Sequence, residues 1–139
     1  MGTPIAFFHA SSAVDHIRAC KCGAAALAIN AIGMEMRHKI LVLDDDADWL
    51  SLCNELFTQL PSKPEIRTIG SGARALALME TEPFRLLVCD LRMPRMDGLQ
   101  VLSIVRRRFP ELRTVVLTGM PDEEFRSRAY ALGVDLFWL

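Results

Sequence analysis

The apolar residues of this chain fall into two alternating patterns. Short continuous apolar runs are typical of strands that are buried on both faces of a parallel sheet. Between these runs, apolar residues recur every three or four positions, which is typical of amphipathic helices. Strands and helices that alternate through short connections predict an α/β fold with a doubly wound parallel sheet. The predicted strands cover residues 40–43, 66–69, 86–89, 115–117 and 136–139.

Proline and glycine mark the ends of the predicted helices. Pro61 ends the first helical stretch and Pro110 ends the third, because proline lacks an amide hydrogen and clashes with the preceding turn. Pro121 is predicted at a first helical position of the fourth helix, and Gly133 is predicted to end that helix. The first three helical stretches cover residues 49–60, 73–79 and 99–109.

The first 37 residues do not share this alternation. They contain the longest apolar stretch of the chain, from Gly23 to Met34, which Asn30 interrupts. This stretch is shorter than the roughly 20 residues that a membrane-spanning helix needs. Alanine propensity favours a short helix over residues 24–32. We predict an N-terminal extension of uncertain structure over residues 1–37 and one domain over residues 38–139, and leave open whether residues 1–33 belong to the folded protein.

The composition indicates one globular domain without a strongly charged partner surface. The chain has 139 residues, of which 51% are hydrophobic and 24% are charged, and its formal net charge is -1. These values exclude global disorder and give no electrostatic reason to expect nucleic acid or an anionic membrane as a partner. No basic residue precedes Phe7 and Phe8, so the N-terminus does not resemble a secretory signal. We therefore expect a cytoplasmic protein whose four cysteines are reduced.

Oxygen-bearing side chains follow three of the predicted strands. The carboxyl ends of parallel strands share one edge of the sheet, where such sheets bind ligands. Clustered carboxylates repel each other unless a cation lies among them, and Mg²⁺ is a hard cation that prefers oxygen ligands. A carboxylate beside that cation could accept a phosphoryl group as an acyl phosphate. Aspartate also ends strands for purely structural reasons, and this interpretation stays open at any single strand. The residues are Asp44, Asp45, Asp46, Asp90 and Thr118.

Four segments resemble the receiver domains of bacterial two-component response regulators. Residues 40–46, Ile-Leu-Val-Leu-Asp-Asp-Asp, resemble the opening strand and acidic cluster of that family. Residues 90–98, Asp-Leu-Arg-Met-Pro-Arg-Met-Asp-Gly, follow its specific phosphoacceptor pattern D-x-x-M-P-x-M-D-G. Residues 115–119 resemble the strand that carries the switch hydroxyl, and residues 131–139 resemble the approach to the last strand.

The resemblance implies a flavodoxin-like five-stranded sheet with the strand order 2-1-3-4-5. It implies a signalling receiver rather than an enzyme, with at most self-phosphorylation from small phosphodonors and autodephosphorylation. The phosphoryl donor would be a phosphohistidine on a sensor histidine kinase or phosphotransfer protein. The face from the fourth helix to the fifth strand would switch a partner or form a homodimer. No direct contact with nucleic acid or a membrane is implied.

The resemblance also assigns roles to individual residues of the site. Asp90 would be the nucleophile that accepts the phosphoryl group. Thr118 would be the switch hydroxyl, and Phe137 would be the aromatic residue that moves inward when that hydroxyl engages. Asp97 is expected to cap the third helix rather than to bind metal. The implied Mg²⁺ ligands are Asp44, Asp45, Asp90 and the backbone carbonyl of Arg92.

The sequence departs from the family pattern at its last residues. The family has a conserved lysine after the fifth strand, at what would be position 140, and a further helix, whereas this sequence ends at Leu139. We therefore expect a receiver domain that is truncated before that lysine and lacks the last helix. Loss of the lysine is expected to weaken switching. Loss of the helix is expected to leave one face of the sheet partly uncovered.

Two other functions remain open at this stage. A phosphohydrolase of the haloacid dehalogenase type also has an aspartate nucleophile after its first strand, in an Asp-x-Asp motif that Asp44 and Asp46 could supply. Asp48 stands where that family has a small β-branched residue, and residues 93–98 stay unexplained by it. The other alternative is a receiver-shaped interaction module that never switches, which the missing lysine favours.

Overall fold

The computed structural model describes residues 38–119 and 122–138, which alternate between strands and helices as predicted. The predicted extension over residues 1–37 lies outside the described residues. In chain order the elements are β1 (Lys39–Leu43), α1 (Ala47–Thr58), β2 (Glu65–Ile69), α2 (Gly72–Thr81), β3 (Leu86–Cys89), α3 (Gly98–Arg108), β4 (Arg113–Leu117), α4 (Glu123–Ala131) and β5 (Leu136–Trp138).

The five strands form one parallel sheet with the order β2-β1-β3-β4-β5. This confirms the flavodoxin-like order 2-1-3-4-5. Strand β1 pairs with both β2 and β3, so that Leu43 lies level with Ile69 on one side and with Cys89 on the other. The described residues include four helices, and β5 is their last element. None of the helices formed by the described residues is both long and apolar enough to cross a membrane.

The sheet separates two hydrophobic clusters. On one face, which we call the α1 face, residues of the strands pack with Trp49, Cys53 and Phe57 of α1. On the opposite face, which we call the three-helix face, they pack with residues of α2, α3 and α4. Cys53 and Cys89 are both core residues and are buried on opposite faces of the sheet. The strand residues of the α1 face are Ile40, Val42, Leu86, Val88, Val115 and Leu117.

The α1 face is buried as far as β4. Val115 and Leu117 each expose 0% of their surface. The expectation that one face would be partly uncovered is therefore wrong for these residues. At the edge of the sheet, Trp138 of β5 is 37% exposed.

Each described helix begins after a polar side chain that accepts hydrogen bonds from its first backbone amides. Asp97 caps α3 as predicted, and Gln100 completes a capping box. Asp122 caps α4, because its carboxylate accepts from the amides of Glu124 and Phe125. Pro121, which the sequence predicts at the first helical position, lies outside the described residues, and the described α4 begins at Glu123.

Four charged residues form a cluster where β1 and β2 begin. Lys39 Nζ lies 3.0 Å from Glu82 Oε2 and 3.6 Å from Glu65 Oε1. Arg67 also contacts both carboxylates, with Nε 3.4 Å from Glu82 Oε2. The hydrogen bond from Lys39, followed by the positive charge of Arg67, lowers the pKa of Glu82 below its ordinary value.

We expect Glu82→Gln to remove a contribution to stability that depends on pH. Because the pKa of Glu82 is lower in the folded state, its ionised form stabilises the fold at neutral pH, and this contribution is lost as the pH falls through the folded pKa. Urea unfolding should show wild type more stable than Glu82→Gln at pH 7, with the difference shrinking toward pH 3. Glu111→Gln is the control, since Glu111 forms no ion pair with a described residue. A difference that stays constant with pH would contradict this role.

Candidate functional site

The three residues that follow β1, β3 and β4 are held by the same type of backbone hydrogen bond. In each case the amide just beyond the strand donates to the last carbonyl of a neighbouring strand. These bonds extend the parallel ladder by one step and fix where the site side chains start. They are Asp44 N to Ile69 O at 3.1 Å, Asp90 N to Leu43 O at 2.9 Å and Thr118 N to Trp138 O at 3.2 Å.

The carboxylates of Asp44, Asp45 and Asp90 come together at this edge. Each offers an oxygen, and these oxygens all lie within 4.8 Å of one another. Asp44 is 2% exposed, Asp90 is partly buried and Asp45 is exposed, so the cluster opens toward solvent on the side of Asp45. The fourth strand-end carboxylate, Asp46, has a different task. It accepts hydrogen bonds from the amides that begin α1, while its own amide donates to Asp44 Oδ1 at 2.9 Å.

The loop after Asp90 returns close to the backbone of that residue. The amide of Gly98 donates to the carbonyl of Leu91 at 2.9 Å. A β-carbon at position 98 would overlap the carbonyl oxygen of Asp90 and would lie 2.7 Å from Leu91 Cα. Glycine is therefore required here by a close approach of two backbone segments. The capped start of α3 and the segment that directly follows β3 are held together at this point.

The side chain of Arg92 joins the same loop to α4. Its Nη2 atom lies 3.8 Å from Asp122 Oδ2, and its guanidinium lies 5.8 Å from the centre of the Phe125 ring. The sequence predicts a role for the backbone carbonyl of Arg92 but not this side-chain contact. The sequence contains the charges but gives no distance between two loops that are thirty residues apart, and the contact emerges only in the fold.

Thr118 and Phe137 lie on the neighbouring strands. Thr118 is buried and directly follows β4, the strand that pairs with β3. Phe137 lies in the middle of β5 and is buried on the three-helix face. Its ring centre lies 6.1 Å from that of Tyr130, with an angle of 41° between the rings. The structure thus brings Thr118 to the edge that carries the carboxylates and places Phe137 in the core behind the α4 surface.

The three carboxylates suit a small divalent cation. Mg²⁺ binds oxygen at about 2.1 Å in octahedral geometry, so its ligand oxygens lie roughly 3 Å apart when adjacent and about 4.2 Å apart when opposite. Oxygens within 4.8 Å of one another need to move only slightly to meet this condition. The donor set is all oxygen and carries up to three negative charges, which favours a hard divalent ion over a soft one.

Comparison with known proteins identifies one family. The family described as "Response regulator receiver domain" matches residues 40–138. This match covers the described helices, the sheet except for Lys39 at its start, and every residue of the site discussed above.

Individual relatives agree with this family. The chain is 32% identical over 100 residues to "Probable chemotaxis protein CheY" of Rhizobium etli, covering 70% of this chain and 76% of that protein. It is 32% identical over 84 residues to "Response regulator protein FleR" of Pseudomonas aeruginosa, covering 60% of this chain but 17% of that protein. The chain therefore spans about a sixth of the longer regulator that it matches.

Solved structures show the same fold. The "BeF3 Activated DrrB Receiver Domain" has a TM-score of 0.65 and 26% identity, and the match covers 73% of this chain and 83% of that one. A receiver domain protein described as CheY-like, from Methanospirillum hungatei, has a TM-score of 0.69 and 24% identity, with 73% and 79% covered.

We expect Gly98→Ala to destabilise the fold by about 1–3 kcal/mol or more, because the added methyl group meets backbone atoms that cannot rotate away. Gly70→Ala is the matched control. A β-carbon there would meet only the carbonyl oxygen of Asp44, at an ordinary contact distance of 3.6 Å, and its effect should stay within about 1 kcal/mol. Urea unfolding monitored by circular dichroism measures both variants. Equal stabilities for the two would show that the loop relaxes around residue 98.

Proposed function

Because this chain belongs to the response regulator receiver domain family, we propose that it is the phosphoacceptor of a two-component phosphorelay, with Asp90 as the residue phosphorylated. The observation that carries the proposal is the cluster of Asp44, Asp45 and Asp90, whose oxygens lie within 4.8 Å of one another at the carboxyl edge of the sheet. The phosphoryl donor is a phosphohistidine on a sensor histidine kinase or a phosphotransfer protein.

Burial and hydrogen bonding favour Asp90 over Asp44 as the nucleophile. Asp44 is 2% exposed, and its Oδ1 atom accepts the amide hydrogen of Asp46. Asp90 is less buried and lies at the end of β3, the central strand of the sheet. A bulky donor such as a phosphohistidine must approach in line with the attacking oxygen, which a nearly inaccessible carboxylate does not allow.

The transfer itself exchanges one bond at phosphorus for another. An Asp90 carboxylate oxygen forms the new P–O bond while the P–N bond to the donor imidazole breaks, and the electron pair of that bond stays on the imidazole nitrogen. The product is an acyl phosphate on Asp90, which water later hydrolyses. The approach of the phosphoryl group brings further negative charge to an edge that already carries Asp44 and Asp45.

Mg²⁺ is part of this proposal. Asp44, Asp45, Asp90 and the backbone carbonyl of Arg92 would hold it, and when bound it supplies positive charge that offsets the repulsion between the phosphoryl oxygens and the carboxylates. The burial of Asp44 and its hydrogen bond from the Asp46 amide keep that ligand in position before the donor arrives.

We assign the response to Thr118, Phe137 and the α4–β5 surface. Thr118 would turn its hydroxyl toward the phosphoryl group, and Phe137 would move further inward, which changes its contact with the half-exposed Tyr130. This surface would engage a partner or a second copy of the chain. A cytoplasmic location, in which the thiols of Cys53 and Cys89 stay reduced, is part of the same proposal.

The geometry does not favour the phosphohydrolase alternative. Its second aspartate would be Asp46, but the carboxylate of Asp46 accepts hydrogen bonds from the amides of Asp48 and Trp49 at the start of α1. These hydrogen bonds indicate that Asp46 stabilises the start of α1 rather than transferring a proton at the cluster.

We expect acetyl phosphate with Mg²⁺ to add one phosphoryl group to the protein at Asp90. Intact mass should rise by the mass of one phosphoryl group, and Asp90→Asn should abolish the increase. Borohydride trapping followed by peptide mass analysis identifies the residue. Label on Asp44 would overturn the assignment in favour of the phosphohydrolase.

We expect Asp45→Asn to weaken Mg²⁺ binding by at least about tenfold. Removing a residue that only hydrogen-bonds to a metal ligand already lowers metal affinity by about this factor, and Asp45 would be a ligand itself. Isothermal titration with MgCl₂ measures the affinity. Asp97→Asn is the matched control. It removes the same charge from a residue near the site, and asparagine caps a helix about as well as aspartate does, so α3 should stay intact. Equal losses in the two variants would contradict a direct role for Asp45.

A further inference from the structure

The side chain of Arg92 is held loosely beside the start of α4. Its Nη2 atom lies 3.8 Å from Asp122 Oδ2, a distance at which the two groups form an ion pair but no hydrogen bond. By comparison, Arg113 Nη1 lies 3.2 Å from Asp135 Oδ1 and donates a hydrogen bond to it. The Arg92 side chain is 50% exposed, so burial does not fix its conformation. An exposed ion pair of this kind is weak and can be exchanged for a stronger contact.

The same guanidinium also rests on the first turn of α4. It lies 5.8 Å from the centre of the Phe125 ring, near the limit of the range over which a cation is attracted to an aromatic face. Asp122 Oδ1 accepts the amide hydrogens that begin α4, which leaves Oδ2 for the contact with Arg92. Two contacts therefore tether Arg92 to the start of α4, and neither of them is strong.

Arg92 is also close to the proposed phosphorylation site. It is the described basic residue nearest to Asp90 in the sequence, and the Cα atoms of the two residues are at most about 7 Å apart. Its guanidinium does not lose its proton in proteins, so its positive charge is always present. From this position the long arginine side chain reaches Asp122, while the Asp90 carboxylate is only two residues away along the backbone.

We propose that Arg92 exchanges partners when Asp90 is phosphorylated. Its guanidinium leaves Asp122 and the Phe125 ring and contacts a phosphoryl oxygen, which releases the start of α4. This inference rests on the proposed function, because it requires a phosphoryl group on Asp90. That group carries about two negative charges and three strong acceptor oxygens, whereas Asp122 carries one charge and already accepts two amide hydrogens. Guanidinium also binds phosphoryl oxygens in a bidentate geometry, so the new contact is the stronger of the two.

The exchange couples the site to α4 in both directions. The phosphoryl group and Asp122 compete for one guanidinium, so weakening either contact strengthens the other. This coupling acts through the side chain of Arg92 and is additional to the response assigned to Thr118 and Phe137. Without the Arg92 side chain, α4 is released whether or not the site is occupied.

A double-mutant cycle on the binding of beryllofluoride tests the competition. Beryllofluoride with MgCl₂ takes the place of the phosphoryl group, and fluorine NMR measures its affinity. We expect Arg92→Ala, which keeps the backbone carbonyl, to weaken binding about tenfold, because a charge-assisted contact is lost. Arg92→Lys keeps the charge but not the bidentate geometry and should have an intermediate affinity.

The second side of the cycle removes the competing carboxylate. We expect Asp122→Asn to strengthen beryllofluoride binding about twofold to fivefold, because Arg92 loses its other partner while asparagine still caps α4. In the Arg92→Ala background, Asp122→Asn should have no effect on the affinity.

Two control variants distinguish this exchange from a general effect of charge. Glu123→Gln removes the same charge one residue further along and leaves Asp122 intact. Arg95→Ala removes a positive charge from the loop after β3, and Arg95 forms no ion pair with a described residue. Both should bind beryllofluoride within about twofold of wild type. An effect of Asp122→Asn that persists without Arg92, or that Glu123→Gln reproduces, would overturn the proposal.

Hydrogen exchange measures the release of α4. We expect beryllofluoride to speed exchange of the α4 amides in wild type by about twofold or more, because the tether is lost. In Arg92→Ala, these amides should exchange at the faster rate with or without beryllofluoride. Equal exchange in free wild type and free Arg92→Ala would overturn the proposal.

The wild-type measurement distinguishes failure of this inference from failure of the proposed function. A wild-type chain that neither binds beryllofluoride nor gains a phosphoryl group from acetyl phosphate would overturn both. Binding by wild type that Arg92→Ala leaves unchanged would overturn the exchange at Arg92 alone.

Discussion

The backbone amides of Asp44, Asp90 and Thr118 each donate to the last carbonyl of a neighbouring strand in the sheet, and the position of the site depends on these hydrogen bonds. At Asp44 and Asp90 the bond extends the ladders from β1 to β2 and from β3 to β1, so the two carboxylates start from adjacent strands at the same level. Thr118 obtains the same support from β5. The side chains need no contact with each other to converge, because the parallel register already places them at one edge. Like charges can therefore be held close together by backbone bonds that do not involve them.

Much of this arrangement could be predicted from the sequence because its information is local. A run such as residues 40–43 identifies a buried strand, and aspartate directly after two such runs identifies the edge where both strands end. The cap at Asp97 is local as well, since the capping residue and its partner Gln100 lie three positions apart. Strand order is not local. Periodicity alone predicts five strands but not which strands pair with each other, and the order 2-1-3-4-5 is implied only by the resemblance to a family.

The features that the sequence did not predict depend on distances across the fold. Arg92 meets Asp122 and Phe125 because the loops after β3 and β4 leave the sheet side by side. The need for glycine at position 98 reflects the close approach of its backbone to that of Asp90 and Leu91, a distance that the motif alone does not reveal. The contact between Arg92 and Asp122 also links the loop after β3 to the residue that caps α4. Arg92 thus joins the loop after β3 to the start of α4 by direct side-chain contacts.

The burial of the α1 face and the geometry of the site are connected through the strands. Val88 lies two residues before Asp90, and Leu117 directly precedes Thr118. Both side chains are buried on the α1 face, so packing on that face holds the strand ends from which the site residues extend. If water reached Leu117, the end of β4 from which Thr118 extends would lose the packing that fixes it beside β3. Packing on the α1 face therefore supports these strand ends from the opposite side of the sheet to α2, α3 and α4.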